Sequence, residues 1–322
     1  MRIGHNPARF VEKVAQPADI TITVVNSIPF LSGYYEQSLG VLRTVVESLQ
    51  TTREPARPYD VMIFDNHSCA EVRDYLKEAC DKGKIQYLVL SDTNIGKIGA
   101  WNYMFGAAQG KYIVFSDGDI EFRPGWLSAS LELFETFPNV GMVTARPFRS
   151  PRKYSDATIE WARQQGPGVL EEGNFVDSET LREHGRSIGI SESRSRERNS
   201  KGKGRDLRLT YQGKVAYIAA GHFQFMTRRD LLQKIIPLPC EQPMRGERAL
   251  DIAVNEMGYL RLAIEKPLVL HMGNRLPESA QPVAAKPKRR TLLQRFLWLP
   301  GIRHVLLWIN NQIFRLYFFN VE

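Results

Sequence analysis

The sequence has little cysteine and no long apolar run. Its 322 residues include only three cysteines, Cys69, Cys80 and Cys240. They have neither the spacing of metal ligands nor the even number of a disulfide framework, so we expect buried or inert thiols and a reducing compartment. No stretch reaches the roughly 18 to 20 apolar residues that span a bilayer, and the N-terminus lacks the apolar core of a signal peptide. These absences predict a cytoplasmic protein without a membrane-spanning helix.

Acidic residues are scarce in one internal segment and at the end of the chain. The net charge is +8, and much of the excess lies in Ser191–Arg205 and Lys286–Arg315. Ser191–Arg205 has six basic residues, two acidic residues and no apolar residue. Such a segment cannot offset its ordering entropy by burial, which predicts a mobile basic loop at about 186–208.

The C-terminal segment combines positive charge with aromatic residues. Lys286–Phe319 contains seven basic residues and no acidic residue, and the next acidic residue is Glu322. Basic residues interleaved with Leu, Trp, Phe and Tyr predict a pair of interfacial helices, split near Pro300, that binds an anionic membrane surface. The alternative is that these helices pack on the rest of the chain or on a second copy in a homodimer.

Strand and helix patterns alternate from about residue 19. Apolar β-branched runs predict strands over 20–25, 60–65, 85–90 and 111–115, and helical spacing predicts helices over 39–49, 70–82, 99–109 and 124–137. Ser68 with Glu71 has the capping-box spacing at the start of the second helix. Alternation of this kind predicts an α/β fold, a mostly parallel sheet with helices on both faces.

The pattern dissolves between Arg149 and Gly213 and then returns. Strands are predicted over 215–219, 223–226, 260–264 and 267–271, and helices from Arg229 and over 247–257. The predicted organisation is an N-terminal extension (1–18), one α/β domain (19–275), a linker (276–290) and amphipathic C-terminal helices (291–322).

Two aspartates follow the apolar strand that ends near Phe115. Asp117 and Asp119 flank Gly118, at the strand end where open α/β sheets bind ligands. Carboxylates this close repel each other unless a cation lies between them, and oxygen ligands suit Mg²⁺ or Mn²⁺. The alternative is an ordinary Asp-Gly turn.

Two further segments carry candidate binding residues. Asp65 ends the second strand, where it either recognises a base or ribose hydroxyl or forms an Asx turn or helix cap. In Thr93–Asn102, Gly96 and Gly99 permit close backbone approach and Lys97 adds positive charge. This segment is either a phosphate-binding loop or simply the start of a helix.

In combination these motifs resemble glycosyltransferase family 2 of the GT-A fold. The resemblance is carried by Asp65-Asn-His-Ser, Asn94-Ile-Gly96, Ala100-Trp-Asn102, Ser116-Asp-Gly-Asp119 and Pro124-Gly-Trp126, in that order, and covers residues 19–145 well and extends to 275 more loosely. One departure is Asn26-Ser-Ile-Pro-Phe30 after the first strand, in place of the usual Pro-x-Tyr-Asn.

The resemblance implies an inverting transferase that uses a nucleotide-sugar and a Mn²⁺ or Mg²⁺ ion. The implied metal ligands are Asp117 and Asp119, together with His271 in a His-x-Gly after the final strand. A structural role is the alternative for His271. The implied nucleotide-sugar contacts are Asp65, Asn94, Gly96, Lys97, Asn102 and Asp117. A UDP-sugar donor and a saccharide or lipid-linked acceptor are expected.

An inverting transfer also needs a base for the acceptor hydroxyl. Glu247 and Asp251 are four residues apart and share one face of a predicted helix. A solvated helix face explains the same spacing, but the resemblance implies an acidic base at the start of a helix in this position. We favour Asp251, because Leu250, Ile252 and Val254 indicate a helix packed on the core, with Glu247 as the alternative.

The sequence therefore predicts a metal-dependent glycosyltransferase of cell-surface glycan synthesis, bound to the cytoplasmic face of the inner membrane. The rival enzyme class is a nucleotidyltransferase on a related fold. The other rival is a non-catalytic protein that binds membrane or nucleic acid. Nucleic acid is disfavoured because paired strand-end aspartates would repel its phosphates.

Overall fold

The computed structural model describes residues 3–11, 13–191, 206–240 and 246–276, with isolated positions elsewhere. The chain divides into two units, residues 1–276 and 277–322. Most of the predicted basic loop, the predicted linker and almost all of the predicted C-terminal helices lie outside the described residues. Within the described part of the chain, no helix is both long and apolar enough to cross a bilayer.

The strands begin at the first apolar run and continue to the end of the first unit. They are β1 (Ile20–Asn26), β2 (Asp60–Asn66), β3 (Tyr87–Ser91), β4 (Tyr112–Asp117), β5 (Ile120–Phe122), β6 (Val140–Thr144), β7 (Leu170–Gly173), β8 (Asp206–Tyr211), β9 (Lys214–Tyr217), β10 (Gln224–Arg228), β11 (Leu260–Ile264) and β12 (Val269–His271). All seven residues of β1 are buried, as expected for a parallel strand covered on both faces.

Helices connect these strands. They are α1 (Ser38–Thr51), α2 (Ala70–Asp81), α3 (Gly96–Ala107), α4 (Trp126–Thr136), α5 (Asp156–Gln164), α6 (Ser178–Ser187), α7 (Arg229–Ile235) and α8 (Arg248–Glu256). In α1 the buried side chains recur with helical spacing at Val41, Leu42, Val45, Val46 and Leu49, so this helix buries one stripe against the sheet.

Ten strands form one mixed sheet in the order β3-β2-β1-β4-β10-β6-β11-β9-β8-β7. The pairs among β3, β2, β1 and β4 are parallel, as is the pair of β6 with β11. Antiparallel pairing makes β10, β9 and β7 run against the other seven strands. The prediction of an α/β fold with a mostly parallel sheet is thus confirmed.

The two faces of the sheet bury two hydrophobic clusters. Alternate residues of a strand point to opposite faces, and β4 shows this directly. Val114 packs into the cluster that includes residues of α1, α2 and α4, whereas Ile113 and Phe115 pack with residues of α3, α7 and α8. Helices therefore cover both faces, as predicted.

Two local predictions are wrong. The segment 149–213, predicted to be irregular, contains α5, β7, α6 and β8, since short elements rich in polar residues leave little apolar periodicity. The capping box is also absent, because Cys69 is the N-cap of α2 and makes no side-chain cap bond. The Ser68 hydroxyl instead binds Asn26 Nδ2 and the amide of Ile28. Cys69, Cys80 and Cys240 are free thiols, and none of them is fully buried.

Candidate active site

A cleft of about 360 Å³ opens at the carboxyl ends of the parallel strands, within the size range of small-molecule sites. Its polar wall combines amides and hydroxyls after β1, β2 and β3 with both aspartates after β4, and Lys97 of α3. The polar lining residues are Asn26, Ser27, Tyr34, Tyr35, Ser38, Asn66, Asn94, Lys97, Asp117, Asp119 and Asn274. This placement is where an open α/β sheet binds its ligand.

Gly118 lets the two aspartates stand at the tip of β4. A Cβ on Gly118 would lie 3.0 Å from the Val25 carbonyl oxygen and 3.0 Å from Asn26 Cβ. The tip is therefore pressed against the end of β1, and a side chain there would push it away. Asp117 ends β4 and Asp119 directly precedes β5, so two strands fix the two carboxylates.

Asp119 lies beside His271, which ends β12. His271 Nε2 is 3.8 Å from Asp119 Oδ2, and β12 pairs with β5 in a separate two-stranded ladder. Asp119 Oδ1 and His271 Nδ1 are buried and have no hydrogen bond among the described residues. Burial raises the pKa of Asp119 to about 6, an effect that His271 opposes and Asp117 reinforces.

The side chains around Asp119 provide some, but not all, of the ligands that a metal ion needs. Within the described ranges, no three His, Cys, Asp or Glu side chains are arranged to hold a metal ion. Asp119 and His271 supply two suitable ligand side chains, and Asp117 is near enough to influence Asp119 electrostatically. A site with so few protein ligands suits Mg²⁺ or Mn²⁺, which usually keep waters and substrate phosphates as further ligands.

Asp117 has a protein cation as its partner. Lys97 Nζ lies 2.7 Å from Asp117 Oδ1, and the Lys97 side chain is 16% exposed. The ammonium also lies 5.6 Å and 5.3 Å from the ring centroids of Trp101 and Phe115. The aromatic rings thus hold Lys97 at the cleft wall. There its charge balances that of Asp117, and its ammonium group faces the space that an anionic ligand would occupy.

The predicted phosphate loop is the first turn of α3. Gly96 has a φ of +73°, which favours glycine, and its amide donates to Asn94 Oδ1 at 2.9 Å. Asn66 Nδ2 also donates to Asn94 Oδ1, and the Ile95 amide donates to Asn66 Oδ1. The Ile95 and Gly96 amides are used within the protein, so this loop presents Asn94 and Lys97 to the cleft, beside Asn66 at the end of β2.

Asp65 is placed underneath the cleft and does not line it. Its side chain is fully buried, and its oxygens accept from Asn26 Nδ2 at 2.9 Å, the Ser68 amide at 3.2 Å and Arg73 Nε at 3.0 Å. The bond to Ser68 is the local turn interaction that the sequence offered as the alternative to ligand binding. Asp65 thereby orients Asn26, which does line the cleft.

Asn102 is likewise engaged inside the protein. Its Nδ2 donates to the Leu238 carbonyl at 2.9 Å, and its Oδ1 accepts from the Leu238 amide at 2.8 Å. Both ends of the amide are used, and Asn102 is absent from the cleft wall. It therefore anchors the segment after α7 against α3.

The two candidate bases differ in their surroundings. Asp251 lies in the first turn of α8, is 3% exposed and accepts a 2.6 Å bond from Arg261 Nη2. A guanidinium therefore already occupies one oxygen of this buried carboxylate, which disfavours direct contact between Asp251 and an acceptor hydroxyl. Glu247 directly precedes α8 and is only partly buried.

Sequence reasoning missed two residues around Asp251. Arg261 is fully buried in β11, and His222 Nδ1 lies 3.5 Å from Asp251 Oδ2. In the sequence, His222 is distinguished as the single titratable residue in the run of small and apolar residues before β10. Nothing in the sequence pairs Arg261 with Asp251, because the contact depends on how α8 packs against β11.

An open α/β sheet with a polar cleft at its strand ends is the class of architecture that these observations define. The model of glycosyl transferase family 2 matches residues 34–235. The chain therefore belongs to glycosyltransferase family 2, which confirms the resemblance found in its motifs.

Individual relatives are more distant. An uncharacterized glycosyltransferase of Nostoc sp. is 28% identical over 113 residues, which are 35% of this chain and 34% of that protein. The Pyrobaculum calidifontis mannosyltransferase in complex with GDP-Man and Mn²⁺ is similar with a TM-score of 0.42 and 16% identity, over 81% of this chain and 60% of that one. The structure of GalNAc-T7 with UDP, GalNAc and Mn²⁺ is similar with a TM-score of 0.49 and 14% identity, over 87% of this chain and 48% of that one. The chain thus spans about a third of the Nostoc relative and about half of these structures.

Proposed function

We propose that this protein transfers a sugar from a nucleotide diphosphate sugar to an acceptor hydroxyl, with the help of a divalent metal ion. The observation that carries the proposal is the tip of β4. There, Asp119 Oδ1 and His271 Nδ1 are buried without hydrogen bonds among the described residues, next to a cleft large enough for a nucleotide. Buried polar atoms in such a position favour a bound ligand.

In this proposal the nucleoside occupies the β1 side of the cleft. Asn26, Asn66 and Asn94 provide amide groups there, and Tyr34 and Tyr35 provide aromatic surface. Asp65 supports the site indirectly by orienting Asn26. These groups suit a base and ribose, and a UDP-sugar is the donor that we test first.

The diphosphate lies at the aspartate tip. Asp119 and His271 are the proposed ligands of Mn²⁺ or Mg²⁺. Asp117 would be the third protein ligand once its carboxylate is released from Lys97. A bound metal ion neutralises charge on the departing diphosphate. Lys97 then supplies a second positive charge to the phosphates at a partly buried position.

The remaining features of the proposal derive from the sequence. Transfer inverts the anomeric centre, and the acceptor is a saccharide or a lipid-linked saccharide of cell-surface glycan synthesis. The basic aromatic C-terminus binds the anionic cytoplasmic face of the inner membrane. A homodimer is the alternative use of that segment.

The test is a screen of UDP- and GDP-sugars for release of nucleoside diphosphate, with and without Mn²⁺. We expect Mn²⁺-dependent release from at least one donor, at a rate that Asp119→Ala lowers by at least about 100-fold. Asp74→Ala, which changes an exposed carboxylate of α2, is the matched control and should retain the wild-type rate.

Two outcomes would contradict the proposal. Release of pyrophosphate from a nucleoside triphosphate and a sugar phosphate would identify a nucleotidyltransferase. Full Mn²⁺-dependent activity in Asp119→Ala would remove the aspartate tip from the mechanism.

A further inference from the structure

His222 is a partly exposed side chain in a buried segment. From residue 216 to residue 227 every residue is buried except His222, whose side chain is 37% exposed. The same segment leads into β10, and the carbonyl of Phe223 accepts a 2.8 Å bond from the Asp117 amide. His222 therefore stands at the tip of β4, next in sequence to the residue that is bonded to the aspartate motif.

The imidazole lies beside a buried ion pair. Its Nδ1 is buried without a hydrogen bond among the described residues and lies 3.5 Å from Asp251 Oδ2. Asp251 Oδ1 is fixed by Arg261, which also donates to the carbonyls of Ala220 at 2.6 Å and of Tyr154. Arg261 thus holds both the carboxylate and the backbone just before the histidine.

The backbone of this turn is fixed as well. The Gly221 amide donates to Thr144 Oγ1 at 2.7 Å, so β6 anchors the residue before His222. On the following side, the ring of Phe223 packs against His184 and His271. The position of the imidazole is therefore set by several elements, as expected of a group that must meet a substrate at a fixed place.

We propose that His222 is the general base for the acceptor hydroxyl and that Asp251 is its positioning residue. This inference rests on the proposed function. A carboxylate beside Nδ1 favours the tautomer that carries its proton there, which leaves Nε2 free to accept a proton. A carboxylate in this position also stabilises the imidazolium that forms.

The topology separates the two halves of the reaction. The cleft lies on the β1 side of β4, whereas His222 precedes β10, the neighbour of β4 on the opposite side. A donor with its nucleoside in the cleft and its diphosphate at the aspartates would extend its sugar toward β10. The acceptor would then approach from the side of His222.

The proposed step balances without any further reactant. The acceptor oxygen forms a bond to the anomeric carbon, while the bond from that carbon to the diphosphate oxygen breaks. The leaving nucleoside diphosphate takes the electron pair of the broken bond. The hydroxyl proton passes to His222 Nε2 and then to solvent.

The test uses two nucleophiles that differ in whether they must lose a proton. Water must lose one when it attacks the donor, and azide carries none. The full-length chain is assayed with Mn²⁺ and the best nucleotide-sugar from the donor screen. For His222→Ala we expect the kcat of hydrolysis to fall by about 10² to 10⁴-fold, with a donor KM within about threefold of wild type. Added azide should restore nucleoside diphosphate release and yield the glycosyl azide.

Three further variants sharpen the result. Asp251→Asn should lower kcat by about tenfold or more and respond to azide in the same way, because it acts through His222. His5→Gln, which changes an exposed histidine near the N-terminus, should match wild type. In Glu247→Gln we expect hydrolysis to continue without azide at a rate within about threefold of wild type, since Glu247 is not the base.

The outcomes separate this inference from the proposed function. If wild type releases no nucleoside diphosphate from any donor, the proposed function fails. If wild type is active and His222→Ala keeps more than half of its kcat, or loses activity that azide does not restore, His222 is not the base. Azide rescue confined to Glu247→Gln would assign that role to Glu247.

Discussion

At the scale of single residues, the aspartate tip holds charge that the fold itself does not fully compensate. Burial raises the pKa of Asp119 to about 6, so its ionised form is less stable in the folded protein than in the unfolded chain. Within the described ranges, its ion-pair partner is His271, at 3.8 Å. A buried carboxylate in this state lowers the stability of the folded protein.

Asp119→Asn should therefore stabilise the protein in the absence of metal and donor. Because the folded pKa lies above the unfolded value of 3.8, the folded state loses stability as pH rises from about 4 through 6. The variant should gain on the order of 1–3 kcal/mol at pH 7.5, and the gain should vanish near pH 4. Urea denaturation at both pH values measures this, and an unchanged or lower stability at pH 7.5 would contradict it.

Lys97 acts as the resident cation of Asp117, so its removal should have opposite effects on two ligands. In Lys97→Met, Mn²⁺ alone should bind several-fold more tightly because a competing positive charge is gone. Binding of the nucleotide-sugar should weaken by about tenfold, since a charge-assisted contact to phosphate is lost. Titration calorimetry with each ligand measures both effects.

Lys111→Met is the matched control for that experiment. Lys111 also lies over an aromatic ring, that of Tyr112, but at the start of β4, away from the aspartate tip. It should leave both affinities unchanged. Equal changes in the two variants would show that loss of positive charge alone, and not the position of Lys97, was responsible.

At the scale of elements, the site depends on how closely β4 lies against β1. Val25 pairs with Asp117 at one end of this strand pair, and Ile20 pairs with Tyr112 at the other. Gly110 lies just before β4, and a Cβ there would be 2.6 Å from the Thr21 backbone nitrogen. Contact between β4 and β1 at both ends of the strand pair therefore sets the position of Asp117 and Asp119.

Gly110→Ala should accordingly destabilise the protein by about 1–3 kcal/mol, because backbone of β1 would have to shift. Gly106→Ala in α3 is the matched control. Its nearest neighbour would be Ile236 Cδ1 at 4.0 Å, and alanine is the better helix former by up to about 1 kcal/mol. Urea denaturation should shift the two midpoints in opposite directions, and a shift in the same direction would contradict the prediction.

At the scale of the whole molecule, the chain divides at Leu276. The buried hydrophobic residues of the described part run from Ile20 to Met272, so the first unit contains that core. In the second unit Val305 and Trp308 are exposed. Exposed apolar side chains in a basic segment suit the surface of an anionic bilayer.

A chain that ends at Leu276 should therefore unfold cooperatively, with a midpoint within a few degrees of the full chain. It should also lose binding to phosphatidylserine vesicles, because the basic aromatic segment is gone. Thermal denaturation and vesicle sedimentation measure the two effects, with phosphatidylcholine vesicles as the uncharged control. Vesicle binding that survives the truncation would place the contact elsewhere.

Much of the fold follows from local pattern. The strands around β1 are apolar runs, and the segments between them have apolar residues at helical spacing. The sequence therefore predicts which segments are strands and that these strands pair in parallel. The segment that holds α5 and α6 was missed because its helices are short and expose polar faces. β7, with the sequence Leu-Glu-Glu-Gly, has neither alternation nor β-branched residues.

The site was harder to predict than the fold because it depends on distant contacts. The place of Asp117 and Asp119 at the end of a buried strand follows from local pattern. The burial of Asp65 depends on Asn26 and Arg73, which satisfy its oxygens. The pairing of Asn102 with Leu238, and of Asp251 with Arg261, arises from tertiary packing that leaves no periodic signal.

The small ladder of β5 with β12 also sets an order of events during synthesis. Asp119 emerges from the ribosome with the first half of the sheet, but the residues of β12 that pair with β5 come at the end of the first unit. Until His271 is made, the aspartate tip lacks its imidazole neighbour. All residues of β1 to β4 are therefore synthesised well before the imidazole that neighbours Asp119 in the folded protein.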